Sequence, residues 1–147
     1  MSNKSNRLEG FTLIEILVVI ALIIIIAAIT IVAINPAKHF RDARNAQRSS
    51  DVSQILNAVT QYTSEEGHAV EDLGTIDACT TGETAIGTDT GNVDLGSTLV
   101  DEYIIAIPED PSVGTAADTG YTICTSNGRI QIDAPHAEDG KTITVKR

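Results

Sequence analysis

The sequence predicts an α+β protein. A long amino-terminal helix serves first as a membrane anchor and then as the spine of a small head, and that spine packs on a small antiparallel carboxy-terminal sheet. Three observations carry this expectation. Residues 16–34 read ILVVIALIIIIAAITIVAI, with no charge. Apolar side chains then recur at spacings of three and four from Val52 to Tyr62. The carboxy-terminal part holds short alternating runs broken by turn residues. The expected organisation is a leader at 1–10, a transmembrane helix at 11–36, an amphipathic helix at 37–66 and a globular head at 67–147.

The leader is short and polar, carries Lys4 and Arg7, and ends at Gly10. An apolar run begins at Phe11, and Glu15 sits near its start. A carboxylate inside a membrane-length apolar segment costs roughly 3 kcal/mol or more if left unpaired, so Glu15 calls for a partner. At 1.5 Å per residue, residues 16–34 would span roughly 28 Å, close to the hydrocarbon thickness of a bilayer. The Thr30 hydroxyl is expected to bond a carbonyl one turn back. Asn35-Pro36 marks the end of the run, where Pro36 can kink the helix without ending it.

Two other readings of this segment compete. A secretory signal peptide cut near Ala27-Ala28 is opposed by the length of the run and by the charge of Glu15. A plain anchor helix leaves Gly10 and Glu15 without a role. Orientation by flanking bases is ambivalent, because Lys4 and Arg7 lie on one side and Lys38, Arg41, Arg44 and Arg48 on the other. The acidic head and its cysteines favour a head outside the cell.

The chain has 147 residues and a formal charge of −10, unevenly spread. Beyond residue 50 only Arg129, Lys141, Lys146 and Arg147 oppose the acids, which argues against nucleic acid as the main partner. Aromatic residues are few and Trp is absent, so the head's core is small and benefits from an added constraint. Cys79 and Cys124 supply one if the head is exported, because they would then pair as a disulfide. Such a bridge stabilises by about 4 kcal/mol on the chain-entropy account. The alternative is two separate buried thiols. A metal site from these cysteines is not expected: no CxxC occurs, and His39, His68 and His136 are scattered.

Gly10 to Val19, GFTLIEILVV, resembles the start of type IV pilins and of the pseudopilins of type II secretion. Their shared signature is a short basic leader ending in Gly, then Phe-Thr-Leu-Ile-Glu and an apolar helix. The resemblance implies a pilin-like fold and that a prepilin peptidase cuts between Gly10 and Phe11, after which Phe11 is N-methylated. The new amino group is a cation, and the resemblance implies that Glu15 pairs with the Phe11 amine of a neighbouring subunit. The implied partners are further copies of the chain in a filament, related pilins, the prepilin peptidase, an inner-membrane assembly platform and membrane lipid. The implied localisation is a single-pass inner-membrane protein that becomes an extracellular or periplasmic filament. The transmembrane helix would form the filament core.

The amphipathic stretch continues to about residue 63, and Val52, Ile55, Leu56, Val59 and Tyr62 should pack on the sheet. Gly67 is the expected stop, which gives roughly 50 residues of helix, about 75 Å long. Arg41, Arg44 and Arg48 share one face. That face is either solvated or meets anionic lipid or acids of neighbouring subunits; DNA binding is not supported. Residues 67–98 are rich in Gly, Thr and Asp and read as a long surface loop. Ser97 is placed to cap a short helix at 98–103.

Ile107-Pro108-Glu109-Asp110-Pro111 resembles the Leu-Pro-x-Asp-Pro turn of pseudopilin-like heads. The usual continuation, Trp-Gly-Asn-Pro-Tyr, is replaced by Ser112-Val113-Gly114-Thr115, a departure that favours a pilin over a pseudopilin. Strands are expected at 121–125, 129–133 and 142–146, with Ser126-Asn127-Gly128 as a tight turn. Some pseudopilins hold calcium in this region, and Asp110, Asp118, Asp133 and Asp139 are oxygen donors here. Their spacing fits no ligand pattern, so no cofactor is expected and no metal ligand is assigned.

The function these features favour is a structural filament subunit. The alternatives are a pseudopilin of a type II secretion system and a membrane-anchored binding domain. An enzyme is not expected: the head has few His residues and no Gly-x-Ser-x-Gly.

Overall fold

The computed structural model describes residues 10–147. The leader's Lys4 and Arg7 therefore lie outside the described residues. The chain divides into two compact units, one ending at His39 and one running from Phe40 to Arg147.

The first unit is built on α1, Leu13–Ile34. Its 22 residues span about 33 Å, slightly more than a bilayer's apolar thickness of about 30 Å. None of its residues is buried. A helix that is apolar on every side and covered on none needs a non-aqueous or protein environment. Thr30, the polar side chain inside the run, donates to the Ile26 carbonyl at 2.8 Å and so hides its hydroxyl in the helix.

The expected 50-residue helix is interrupted more completely than a proline kink would require. Asn35 has φ 47° and ψ 72°, a left-handed conformation that stops α1. A second helix, α2, Pro36–Ser64, begins at once. Pro36 suits that first position because its missing N–H would have had no partner there. The Asn35 side chain accepts from the Lys38 amide at 3.4 Å, so one residue closes one helix and caps the next.

In the second unit, α2 packs on a four-stranded antiparallel sheet of order β1-β2-β3-β4. The strands are β1, Thr84–Ala85; β2, Thr122–Ser126; β3, Arg129–Asp133; and β4, Thr144–Lys146. The β2–β3 hairpin turns at Asn127 and Gly128, with φ 54° and 73° as a two-residue turn of this hand demands. The register sets Ile123 opposite Ile132 and Ile132 opposite Val145. That apolar face meets Val52, Ile55, Leu56, Val59 and Tyr62 of α2 in one core. The opposite face carries Thr122, Cys124, Gln131, Asp133 and Thr144 in neighbouring positions.

Residues 67–98 are more than a surface loop. They contribute β1 and bury Leu73, Ile86, Val93 and Leu95 in the core. Glycine-rich composition hid four apolar anchors spaced irregularly, which no periodic pattern can reveal. The short helix α3 lies at Gly96–Leu99, earlier than the sequence predicts. The Asp94 carboxylate, rather than Ser97, receives the Gly96 and Ser97 amides at 3.0 and 3.3 Å.

Candidate functional site

Gly10, Phe11 and Thr12 precede α1 and are not helical. Gly10 has open space around its Cα, and Phe11 is 86% exposed. Thr12 is the N-cap of α1, and Glu15 is the third residue of the helix. Together they form a reciprocal capping box. The Glu15 amide donates to the Thr12 hydroxyl oxygen at 3.2 Å, and the Glu15 carboxylate accepts from the Thr12 amide at 2.9 Å and its hydroxyl at 2.8 Å. Glu15 thus has a local partner at the positive end of a helix dipole. The exposed, non-helical Gly10-Phe11 peptide stands directly before that cap.

The head's most constrained polar site is centred on Arg48, whose side chain is 0% exposed. Its five N–H donors all have acceptors. Nε and Nη2 grip the two oxygens of Asp110 at 2.6 and 3.1 Å, and Nη2 also donates to Ser112 Oγ at 2.7 Å. Nη1 donates to Asn45 Oδ1 at 3.2 Å and to Glu138 at 3.0 Å. Arg44 grips Glu138 through both of its carboxylate oxygens, at 2.5 and 2.7 Å. Asn45 donates to the Glu138 carbonyl and accepts from the Glu138 amide. Arg41 pairs with Asp139 at 2.7 Å, and Lys141 with Asp42 at 2.8 Å.

These contacts correct the expectation for the three arginines. Arg41, Arg44 and Arg48 all bind acids of their own head; Arg48 is fully buried, whereas the Arg41 and Arg44 side chains stay 34% and 35% exposed. The physical reason is spacing. Residues 45, 48, 52, 55, 59 and 62 continue one three-four pattern, so the buried stripe of α2 starts as polar groups before it becomes apolar. The signal was present in the sequence, but an apolar filter discards it.

Burial works hardest against the charge of Asp110, yet the Arg48 guanidinium with the hydroxyl and amide of Ser112 outweighs it and holds Asp110 below the usual carboxylate range. Glu138 is lowered to about 2, first by Arg44 and then by Arg48. Below this cluster, Tyr121 donates to Asp51 at 2.7 Å, and Gln47 donates to the other Asp51 oxygen at 2.8 Å. Burial, then the bond to Asp51, pushes the Tyr121 phenol well above its ordinary value.

The Ser112-Val113-Gly114-Thr115 departure has a structural use. Asp110 Oδ1 accepts from the Ser112 amide and hydroxyl and from the Val113 amide, which folds the turn back on itself. At Gly114 a Cβ would lie 2.3 Å from the Asp110 amide nitrogen and 2.8 Å from the Thr119 carbonyl oxygen.

Cys79 and Cys124 form a disulfide, with Cα atoms 5.0 Å apart. It ties the 67–98 segment to β2, and the Cys79 amide donates to the Thr125 carbonyl beside it at 2.9 Å. The four aspartates weighed for calcium do not converge. Asp110 serves Arg48, Asp139 serves Arg41, Asp133 accepts from Gln131 and Thr144, and Asp118 accepts from the Gly120 amide.

Residues 6–31 match the family model described as the prokaryotic N-terminal methylation motif. The match takes in Gly10, Phe11, Glu15 and most of α1. The motif is characteristic of prepilin-like proteins, chains that are modified rather than enzymes that modify. Neither the curated proteins nor the solved structures returned a match to the chain.

Proposed function

We propose that this protein is a structural subunit of a type IV pilus-like filament, made as a membrane-anchored precursor. Residues 1–10 form the leader, and a prepilin peptidase cuts between Gly10 and Phe11 and N-methylates the new terminus. Residues 11–36 hold the precursor in the inner membrane with the head outside, and then form the filament core. Residues 37–66 are the spine of a head that 67–147 completes. In the filament, Glu15 pairs with the Phe11 amine of a neighbour, and an out-of-register subunit leaves both charges unpaired. The partners are copies of this chain, related pilins, the peptidase, an assembly platform and lipid.

The observation that carries this reading is one coincidence. The methylation motif overlies a helix with no buried residue, and the Gly10-Phe11 junction lies exposed just before its cap. Polymerisation would cover that apolar surface, and membrane lipid would cover it before assembly. The internal pairing of Arg41, Arg44 and Arg48 gives those residues a reason to exist apart from membrane topology. That supports the orientation with Lys4 and Arg7 on the cytoplasmic side.

A pseudopilin of a type II secretion system is the second reading, favoured by the Ile107–Pro111 turn whose Asp110 anchors the head to α2. A membrane-anchored binding domain is the third. Mass spectrometry of the mature protein tests the processing step. The expected mature chain begins at Phe11 and carries one added methyl group; an intact chain beginning at Met1 overturns the proposal. Imaging of sheared surface filaments separates the first two readings, since an abundant filament that vanishes with this chain indicates a pilin.

A further inference from the structure

The head is acidic, so two copies repel unless opposite charges meet. Beyond residue 50 its lysines and arginines are Arg129, Lys141, Lys146 and Arg147. Lys141 pairs with Asp42, and Arg147 donates to Asn57 at 3.1 Å. Arg129 and Lys146 are exposed, and neither has an acid partner among the described residues. Lys146 lies opposite Gln131, two residues from Arg129, so both cations stand on the sheet face turned away from α2, at the β4 edge. A cavity of about 250 Å³ opens at the other edge. There the Val93 amide donates to the Ala85 carbonyl on the outer side of β1. Ile86, Leu95, Val100 and Ile107 give the cavity apolar walls, and Asp94 and Glu109 are exposed carboxylates in its lining. No cation pairs with either acid among the described residues. Ile105, 92% exposed, belongs to the same turn as Ile107.

We propose that this cavity is a socket for a second copy of the chain, whose Lys146 enters it. The inference rests on the filament reading and names the contact between heads. A lysine suits such a socket, because its apolar stem packs on apolar walls while its ammonium stays with carboxylates at the surface. Asp94 and Glu109 supply those carboxylates, and Arg129 adds positive charge on the approaching face. Peg and socket lie on opposite edges of a four-stranded sheet, about 14 Å apart at the usual strand spacing, so Lys146 cannot fill the cavity of its own head. A contact between different surfaces is heterologous, and when repeated without closing it extends in one direction as an open filament. The contact is small, but packing of α1 would tether neighbouring heads, so a weak contact acts at high effective concentration. The same approach would cover Ile105.

The test treats sheared filaments of the full chain with a carbodiimide, which joins an amine to a touching carboxylate as an amide and takes up the water released. Mass spectrometry of the digested dimer should find Lys146 of one copy joined to Glu109 or Asp94 of another. Lys146→Glu should cut the yield of sheared filaments by about tenfold or more, with precursor in the membrane unchanged, because like charges then face each other. Adding Glu109→Lys to Lys146→Glu restores an opposite pair and should recover most of that loss. Asp94 is left intact because its carboxylate caps α3. Filaments whose cross-links never include Lys146, or Lys146→Glu filaments at the parental yield, overturn this contact and leave the filament reading standing. A parent chain that forms no filaments overturns the filament reading, and the contact with it.

Discussion

Replacing Arg48 by Met removes the cation from the centre of the head while keeping an unbranched, apolar stem. The consequences fall unequally on its two acids. Glu138 keeps the two-point grip of Arg44, so it remains paired. Asp110 retains only the Ser112 amide and hydroxyl and the Val113 amide. It becomes a buried carboxylate without a counter-ion, and breaking a buried pair this way costs about 3–5 kcal/mol. That is a large share of the stability of a domain this size, which is about 5–15 kcal/mol. Urea unfolding of the full chain in detergent, followed by circular dichroism of the tyrosine bands, should move the midpoint accordingly. Adding Asp110→Asn removes the orphaned charge but leaves an oxygen for the Ser112 amide. The double variant should therefore recover about 1–3 kcal/mol relative to Arg48→Met alone. Arg48→Met within about 0.5 kcal/mol of the parent, the range of ordinary surface changes, would refute the reasoning. So would a double variant less stable than Arg48→Met.

The same network sets an acid limit. Asp110 and Glu138 both have lowered values in the folded head, so their stabilisation is full above the ordinary carboxylate range and is lost as pH falls through about 4 and on towards about 2, where Glu138 protonates. Thermal melts across that window should show a steep decline that Arg48→Met flattens. Gly114→Ala forces a Cβ against the backbone of Asp110 and Thr119 and should cost about 1–3 kcal/mol by the same urea assay. Tyr121→Phe leaves a buried Asp51 oxygen without its donor and should cost about 1–3 kcal/mol; Tyr121→Phe with Asp51→Leu should be less additive than two independent sites.

The architecture was legible because its signals are periodic. Three-four spacing at Val52 to Tyr62 and alternation around Ile123, Ile130 and Ile132 are local and repeat, and the Asn127-Gly128 turn has a conformation few other pairs favour. The disulfide was legible because the sequence points to an exported head, and two cysteines in such a head would have few other uses. What escaped depends on partners far along the chain. Arg48 and Asp110 are 62 residues apart, and Arg44 and Glu138 are 94 apart, so no window holds both members. The core role of Leu73, Ile86, Val93 and Leu95 escaped because irregular segments bury side chains without a period. The complete stop at Asn35 escaped because it rests on a backbone conformation that Asn adopts only in some contexts.

Glu15 is where the sequence argument and the structure pull furthest apart, and one pair of variants separates their claims. Read as a string, Glu15 is an acid stranded in an apolar run. In the structure it is the third residue of α1, near its end rather than its middle, and it already caps the helix with Thr12. The desolvation cost at a helix end is below its value at mid-membrane. The cap is worth about 0.5–2 kcal/mol. The drive to find a cation on another subunit is thus smaller than an unpaired acid would imply, and the proposed pairing with Phe11 would act through register more than through relief of strain. Gln also completes a capping box, so Glu15→Gln keeps the cap and deletes only the charge. Thr12→Val does the reverse, deleting the hydroxyl of the cap and keeping the charge. If charge pairing sets register, sheared filaments should be abundant from Thr12→Val cells and scarce from Glu15→Gln cells, with equal precursor in the membrane of both. If Glu15→Gln assembles normally while Thr12→Val fails, capping is the whole purpose of this acid and the intersubunit pair is wrong.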